Sequence, residues 1–325
     1  MLTEIWVPLL GGLVLLILGG DFLVRGAVQV AERLGVSPLV IGLTLVGFGT
    51  SMPELVTSVR AALSGAPGIA YGNIVGSNIA NILLIVGASA LVTPVVVARA
   101  ALRRDAAVML VVAAVFAALA LAVPFGPLVG GGFVLALVAY IWLTIQQERR
   151  GAPTGALHDK EVALGAVDPA LEPGAKRPAI WTALALALGG LVAILLGGGL
   201  LVDGAVTLAR TFGISETVIG LTIVAIGTSM PELVTSLMAA LRRQGDVAFG
   251  NIVGSNIYNI LGIGGATALI APGTVPVEIA RFDALVMLGV TLLLVLVAAT
   301  GLKVDRREGG VLLAGYGIYL FALWP

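Results

Sequence analysis

Glu54 and Glu232 are the residues best placed to do chemistry. Both stand in apolar sequence, inside the same ten-residue phrase, GTSMPELVTS, at Gly49–Ser58 and again at Gly227–Ser236. An ionised carboxylate at membrane depth is costly and is normally paired, protonated or bound to a cation. Neither segment has a Lys or Arg in its interior, so a mobile cation or a proton is the expected partner. Thr50 precedes Glu54 by four residues, and Thr228 precedes Glu232 by four, which puts each hydroxyl on the helix face of its acid. Pro53 and Pro231 have no N–H to give to the carbonyls of Gly49 and Gly227, and their rings push those carbonyls away. A helix broken there opens backbone oxygens near Gly47–Gly49 and Ala225–Gly227, as broken membrane helices do where they line a cavity. A second duplicated phrase, GNIVGSNI at Gly72–Ile79 and Gly250–Ile257, adds Ser77 with Asn81 and Ser255 with Asn259, again four apart. Carboxylate, hydroxyl, amide and carbonyl oxygens make a hard donor set, suited to Ca2+ or Na+ and unsuited to zinc or copper.

Blander roles compete for the same residues. Ser51-Met52-Pro53-Glu54 reads as a capping box with proline in the first turn, so each Glu could cap a half-helix; the two roles are compatible. Gly76 and Gly254 suit close helix packing. Asn78 and Asn256 point about 80° away from the Ser/Asn faces and read as supporting or capping groups. Asp21 with Arg25, and Asp203, fall near span ends and read as interfacial. Asp105, Asp246, Glu278 and Asp283 read as loop or helix-end charges. Tyr258 has no counterpart in the first half, where Ala80 stands.

The elements that position these residues follow from composition. Hydrophobic residues make up 59% of the chain and charged residues 11%, with a mean hydropathy of +1.09. A soluble domain carries about 25% charged residues. Apolar runs recur along the length, as in a polytopic helical membrane protein. We place ten spans at 5–24, 37–64, 69–93, 105–123, 126–147, 179–202, 215–241, 247–271, 283–301 and 309–324. The first lacks a basic leader and begins near Glu4, so it reads as a retained span. Residues 148–178 form a polar linker that holds His158, the one histidine. The absence of cysteine excludes disulfides, thiol catalysis and thiolate metal sites. Neither HExxH nor a nucleophile–base pair is present, which argues against an intramembrane protease. Net charge is zero, so no acidic or basic partner is implied; neither nucleic acid nor an obligatory protein partner is expected.

Basic residues set the orientation. With the N-terminus outside, fifteen Lys and Arg fall in inner loops, and only Arg60, Arg210 and Arg281 fall outside. Both termini are then external and the 148–178 linker is cytoplasmic. The two phrases share one offset of 178 residues, which also aligns Asn81 with Asn259 and Gly26-Ala27-Val28 with Gly204-Ala205-Val206. The chain therefore reads as a duplicated five-helix unit: 1–147, linker 148–178, and 179–325. Five is odd, so the second unit enters the membrane inverted, an arrangement common in secondary transporters with a midplane binding site.

GTSMPE paired with GNIVGSN, each present twice, resembles the alpha-repeats of the cation/calcium exchanger superfamily, above all its prokaryotic sodium/calcium exchangers. The resemblance covers nearly the whole chain. It implies an all-α membrane protein of ten helices in two inverted repeats, with broken helices at the midplane. It implies an antiporter of a prokaryotic cell (inner) membrane that exchanges Na+ for Ca2+ by alternating access, in contact with lipid and with no cofactor beyond the transported ions. The implied Ca2+ ligands are Thr50, Glu54, Thr228 and Glu232. The implied Na+ ligands are the Gly47 carbonyl, Thr50, Ser51, Glu54, Ser77, Asn81, the Ala225 carbonyl, Thr228, Ser229, Glu232, Ser255 and Asn259. The first and sixth helices correspond to the family's sliding gate, and here carry Gly19-Gly20 and Gly197-Gly198-Gly199. One departure matters. Many relatives have an Asp at one of the two positions held here by Asn81 and Asn259, so this site has two acids and potassium co-transport is not expected. A proton/Ca2+ exchanger on the same two Glu, and a cation channel, are the alternatives.

Overall fold

The computed structural model describes residues 2–33, 49–148, 179–241 and 245–323. They are helical almost throughout. Helix α1 is Leu2–Arg33, α2 Met52–Leu63, α3 Pro67–Val92, α4 Leu102–Ala122, α5 Pro127–Glu148 and α6 Ile180–Phe212. Then follow α7 Glu216–Thr228, α8 Met230–Leu241, α9 Ala248–Ile270, α10 Ile279–Ala299 and α11 Arg306–Leu323. Large apolar side chains cover the outside: Leu128 is 92% exposed, Phe321 82% and Trp181 77%. That surface suits lipid, and the chain is an integral, multi-pass membrane protein.

Among the described residues seven helices are long and apolar enough to cross a membrane, or eight if α7 and α8, bent by 48° at their break, count as one span. Ten were expected. Of the expected span 37–64, residues 37–48 lie outside the described residues. The last helix, α11, has 18 residues and opens on three charges, Arg306, Arg307 and Glu308. The expected linker beyond Glu148, with His158, also lies outside the described residues.

The first and sixth helices run well beyond the expected 5–24 and 179–202. At 32 and 33 residues, each is about 48–50 Å long against a hydrocarbon core of about 30 Å, so each must tilt or project. Charge does not stop them. Arg25 Nε pairs with Asp21 Oδ1 at 3.0 Å, one turn away, inside the helix. α6 ends where Gly213 takes a left-handed φ of 65°, the usual glycine stop.

These two helices are held together by small residues. Gly12, Gly19 and Gly26 fall every seven residues along α1 and meet Gly197, Gly190 and Ala183 of α6 in reverse order. A methyl on Gly190 would come within 2.3 Å of the Leu23 nitrogen, and one on Gly12 within 2.6 Å of the Leu201 nitrogen. Backbones this close need glycine, and a seven-residue repeat keeps the seam facing the partner. So Gly19 and Gly197 fasten α1 to α6. Gly198, which faces Val56, borders the neighbouring α2. The two helices are mates at the 178-residue offset, and they run antiparallel, as copies of one unit do when one is inverted.

Irregularities recur at the same offset to within one residue. Wide π turns occupy Asn81–Val86 and Tyr258–Gly264, and again Leu102–Ala106 and Ile279–Asp283. Such turns insert a residue and re-aim side chains, often at functional sites. Two small inter-half pairings are also mates. Val95 and Val96 pair with Val304 and Lys303, and Phe125 pairs with Gly273. The first joins two loops that the ten-span parity puts on the inner side; the second joins two that it puts on the outer side.

Candidate ion-binding site

Proline decides where the broken helices restart. α2 begins at Met52 with Pro53 next, after a turn at Thr50–Ser51. α8 begins at Met230 with Pro231 next, after the break at Ser229. Each acid therefore lies in the first turn of its half-helix, where N–H groups and the helix dipole favour negative charge. The capping box does not form at Ser51, whose side chain makes no cap bond.

Ser51 and its mate Ser229 reach across the molecule. Ser51 Oγ donates to Glu232 Oε1 at 3.3 Å, and Ser229 Oγ donates to Glu54 Oε1 at 3.0 Å. Each repeat thus supplies the hydroxyl that meets the other repeat's acid. Ser255 Oγ adds a second, longer contact to Glu232 Oε1 at 3.4 Å. Ser77 Oγ lies 3.4 Å from the Ala225 carbonyl. That carbonyl also accepts the Ser229 N–H at 3.1 Å, so the break leaves it engaged and not bare, as the proline argument alone had it.

Every predicted side chain in the described residues is buried. Thr50 is 6% exposed, and Ser51, Glu54, Ser77, Asn81, Thr228, Ser229, Glu232, Ser255 and Asn259 are at 2% or less. Gly47 lies outside the described residues. Among the described residues the Thr50 hydroxyl and the side-chain carbonyl oxygens of Asn81 and Asn259 have no hydrogen-bond partner, and buried acceptors left in that state are costly unless something binds them. Asn81 Nδ2 donates to Asn256 Oδ1 at 2.9 Å, so Asn256 supports Asn81 across the repeats, while Asn78 turns its amide onto the Ile74 carbonyl at 2.7 Å. Gly76 packs as expected; a methyl there would meet the Leu221 carbonyl at 2.6 Å. Among the described residues no three His, Cys, Asp or Glu side chains come together. The cluster is two carboxylates within a shell of neutral oxygens, which is hard-cation chemistry.

Three features escaped the sequence reading. Asn73 and Asn251, fully buried, stand four residues before Ser77 and Ser255 and so continue the same helix stripes. Asn73 Nδ2 donates to Ser58 Oγ at 2.9 Å and to the Glu54 carbonyl at 3.2 Å. Asn251 Nδ2 donates to Ser236 Oγ at 2.8 Å and Thr235 Oγ1 at 2.9 Å. The third is the pair Asp105 and Asp283. Both stand at helix starts, as read, but inside π turns that bury them to 0% and 2% exposure. Tyr140 donates to Asp105 at 3.0 Å and Tyr319 to Asp283 at 2.9 Å, and Arg104 pairs with Asp105 at 2.7 Å. Their offset of 178 residues was the signal that could have found them.

Comparison with known proteins identifies the family. The family model described as sodium/calcium exchanger protein matches twice, at residues 4–146 and 182–324, again 178 apart. The chain is 37% identical to the sodium/calcium exchanger MaX1 of Methanosarcina acetivorans, covering 100% of this chain and 99% of that one. It is 36% identical to the inner membrane protein YrbG of Escherichia coli, covering 97% and 95%. A solved structure of the sodium-calcium exchanger NCX_Mj, soaked with Na+ and Sr2+, superposes with a TM-score of 0.66 at 33% identity, over 100% of both chains. The broken helices, the buried two-acid cluster and these matches together place the chain in the sodium/calcium exchanger family, a family of transporters and not of enzymes.

Proposed function

We propose that this protein is an electrogenic, potassium-independent antiporter that exchanges Na+ for Ca2+ by alternating access. The observation that carries the reading is the crossed pair Ser51–Glu232 and Ser229–Glu54, which builds one oxygen site from both repeats. The ligands are Thr50, Glu54, Thr228 and Glu232 for Ca2+. Ser51, Ser77, Asn81, Ser229, Ser255, Asn259 and the carbonyls of Gly47 and Ala225 join them for Na+. Two ionised carboxylates give the empty site a charge near −2, and carrying that through a dry intermediate costs several kcal/mol. One Ca2+ cancels it, and two or more Na+ do so as well. Loaded forms therefore occlude readily and the empty form does not, which enforces exchange and suppresses leak. We place both termini outside and residues 148–178 in the cytoplasm of a prokaryote, with the units at 1–147 and 179–325. The test is 45Ca2+ uptake into proteoliposomes under an imposed Na+ gradient, with a pH gradient as the contrasting arm. Uptake driven by Na+ and not by pH is expected. Uptake driven by pH alone would make the protein a proton/Ca2+ exchanger.

A further inference from the structure

The two repeats are not used symmetrically at one point. Thr228 Oγ1 lies 2.9 Å from Asn73 Oδ1 across the repeat boundary and 3.0 Å from the Val224 carbonyl one turn back, so its single proton can go to either acceptor. The mate of that bond would run from Thr50 to Asn251, and it is absent: among the described residues the Thr50 hydroxyl and Asn251 Oδ1 are both buried without a hydrogen-bond partner. The anchoring bonds of the two amides to Ser58 and Ser236 are present in both copies, while their second donors differ: Asn73 turns to the Glu54 carbonyl and Asn251 to the Thr235 hydroxyl. A second asymmetry lies beside it. Gly198 of α6 faces Val56 of α2, so close that a methyl would meet the Val56 Cγ1 at 2.6 Å. The mate of Val56 is Val234 on α8, and it is 44% exposed. The α1–α6 pair packs against the acid-bearing helix of the first repeat at Val56, whereas the matching residue of the second, Val234, stays exposed.

We propose that Asn73 and Asn251 are a reciprocal pair of positioning residues, each holding the ion-site threonine of the opposite repeat in one of the protein's two access states. This rests on the antiport reading of the same cluster. In the state described, Asn73 holds Thr228 and aims its oxygen lone pairs, while Thr50 is released. Inverting the roles of the repeats exchanges the bonds: Thr50 donates to Asn251 and Thr228 lets go of Asn73. One bond breaks as the other forms, so the two states stay close in free energy and neither traps the carrier. A buried donor and a buried acceptor left unpaired together are costly, and a second conformation that joins them explains why both are kept.

The test reads conformation and needs no transport, so it stands apart from the uptake experiment. Spin labels at Leu63 of α2 and Phe212 of α6 in one sample, and at Trp181 of α6 and Leu241 of α8 in another, report by pulsed dipolar spectroscopy how α6 sits against each acid-bearing helix. All four sites are exposed, and the chain has no cysteine of its own. Asn73→Leu should shift the population ratio of the two distances about fivefold away from the described state, the change given by one hydrogen bond of ordinary net strength, about 1 kcal/mol. Asn251→Leu should shift it about as far in the opposite sense. Because Leu also removes the anchors to Ser58 and Ser236, Thr228→Val and Thr50→Val serve as the second pair. They remove the threonine hydroxyls, leave the anchors to Ser58 and Ser236 in place, and should reproduce the two opposite shifts in ion-free protein. Shifts in the same sense, or none in either pair, would overturn the proposal even if Na+-driven uptake is found.

Discussion

Replacing Glu54 by Gln separates charge from shape. Gln keeps the volume and keeps an oxygen for the Ser229 hydroxyl, which now lies 3.0 Å from Oε1. The fold should survive, with an unchanged elution profile and a melting temperature within a few degrees. The ion should not bind as before. At about 4 Å and an effective dielectric of about 20, a carboxylate attracts a monovalent cation by about 4 kcal/mol and a divalent one by about 8. If desolvation offsets half of each, the losses are about 2 and about 4 kcal/mol. At about 1.4 kcal/mol per decade, Na+ affinity falls about thirtyfold and Ca2+ affinity about a thousandfold. Glu232→Gln should behave alike, because Ser51 meets Glu232 in the mirrored contact at 3.3 Å. The assays are Na+-driven 45Ca2+ uptake in proteoliposomes and equilibrium binding of each ion to purified protein. Near wild-type exchange in either variant would refute the site, and equal losses for both ions would refute the charge argument.

Further expectations follow from the same physics. Ala156→Cys, in a chain without cysteine, should react with an impermeant maleimide only from the cytoplasmic side; reaction on intact cells would reverse the assigned polarity. If three Na+ enter per Ca2+, as the family resemblance implies, one net charge moves per turnover, worth about 2.3 kcal/mol per 100 mV. Valinomycin-set potentials should therefore change Ca2+ flux, while K+ itself should have no direct effect; flux indifferent to voltage would reject the stoichiometry. Gly190→Val should lower stability by about 1–3 kcal/mol through overpacking, since a methyl there meets the Leu23 backbone, whereas Gly189→Ala, with nothing within 4 Å, should leave the thermal midpoint nearly unchanged. Asp105→Asn should cost about 1.5–3 kcal/mol by removing the carboxylate that Arg104 pairs with, more than Asp283→Asn, where the carboxylate accepts from the neutral Tyr319 hydroxyl. Equal thermal shifts for the two would show that the Arg104 contact contributes little.

What the sequence made legible was local and periodic. Proline two residues into a helix, an acid one step later and a hydroxyl one turn before it are short-range facts, and the break at Ser229 and the restart at Met52 appear where they require. The repeat offset carried the long-range information, because it said which residues are mates without saying how far apart they lie. The contacts between mates were not legible. Nothing in SMPE says that Ser51 will forgo its own helix to meet Glu232, since the box spacing favours capping and only the approach of the other repeat outcompetes it. Burial of Asp105 and Asp283 was hidden for a different reason. Hydropathy counts a charge near a helix start as solvated, and the π turns that draw both inward leave no mark in composition. The length of α1 was hidden as well. Its charges at Asp21 and Arg25 look like an end, yet they lie one turn apart and neutralise each other. The glycine seam with α6 then continues past them. A count of apolar residues cannot see that seam, because seven-residue spacing acquires meaning only when a second helix runs antiparallel beside it. Inversion of the repeat, deduced from parity, is the step that supplies that second helix.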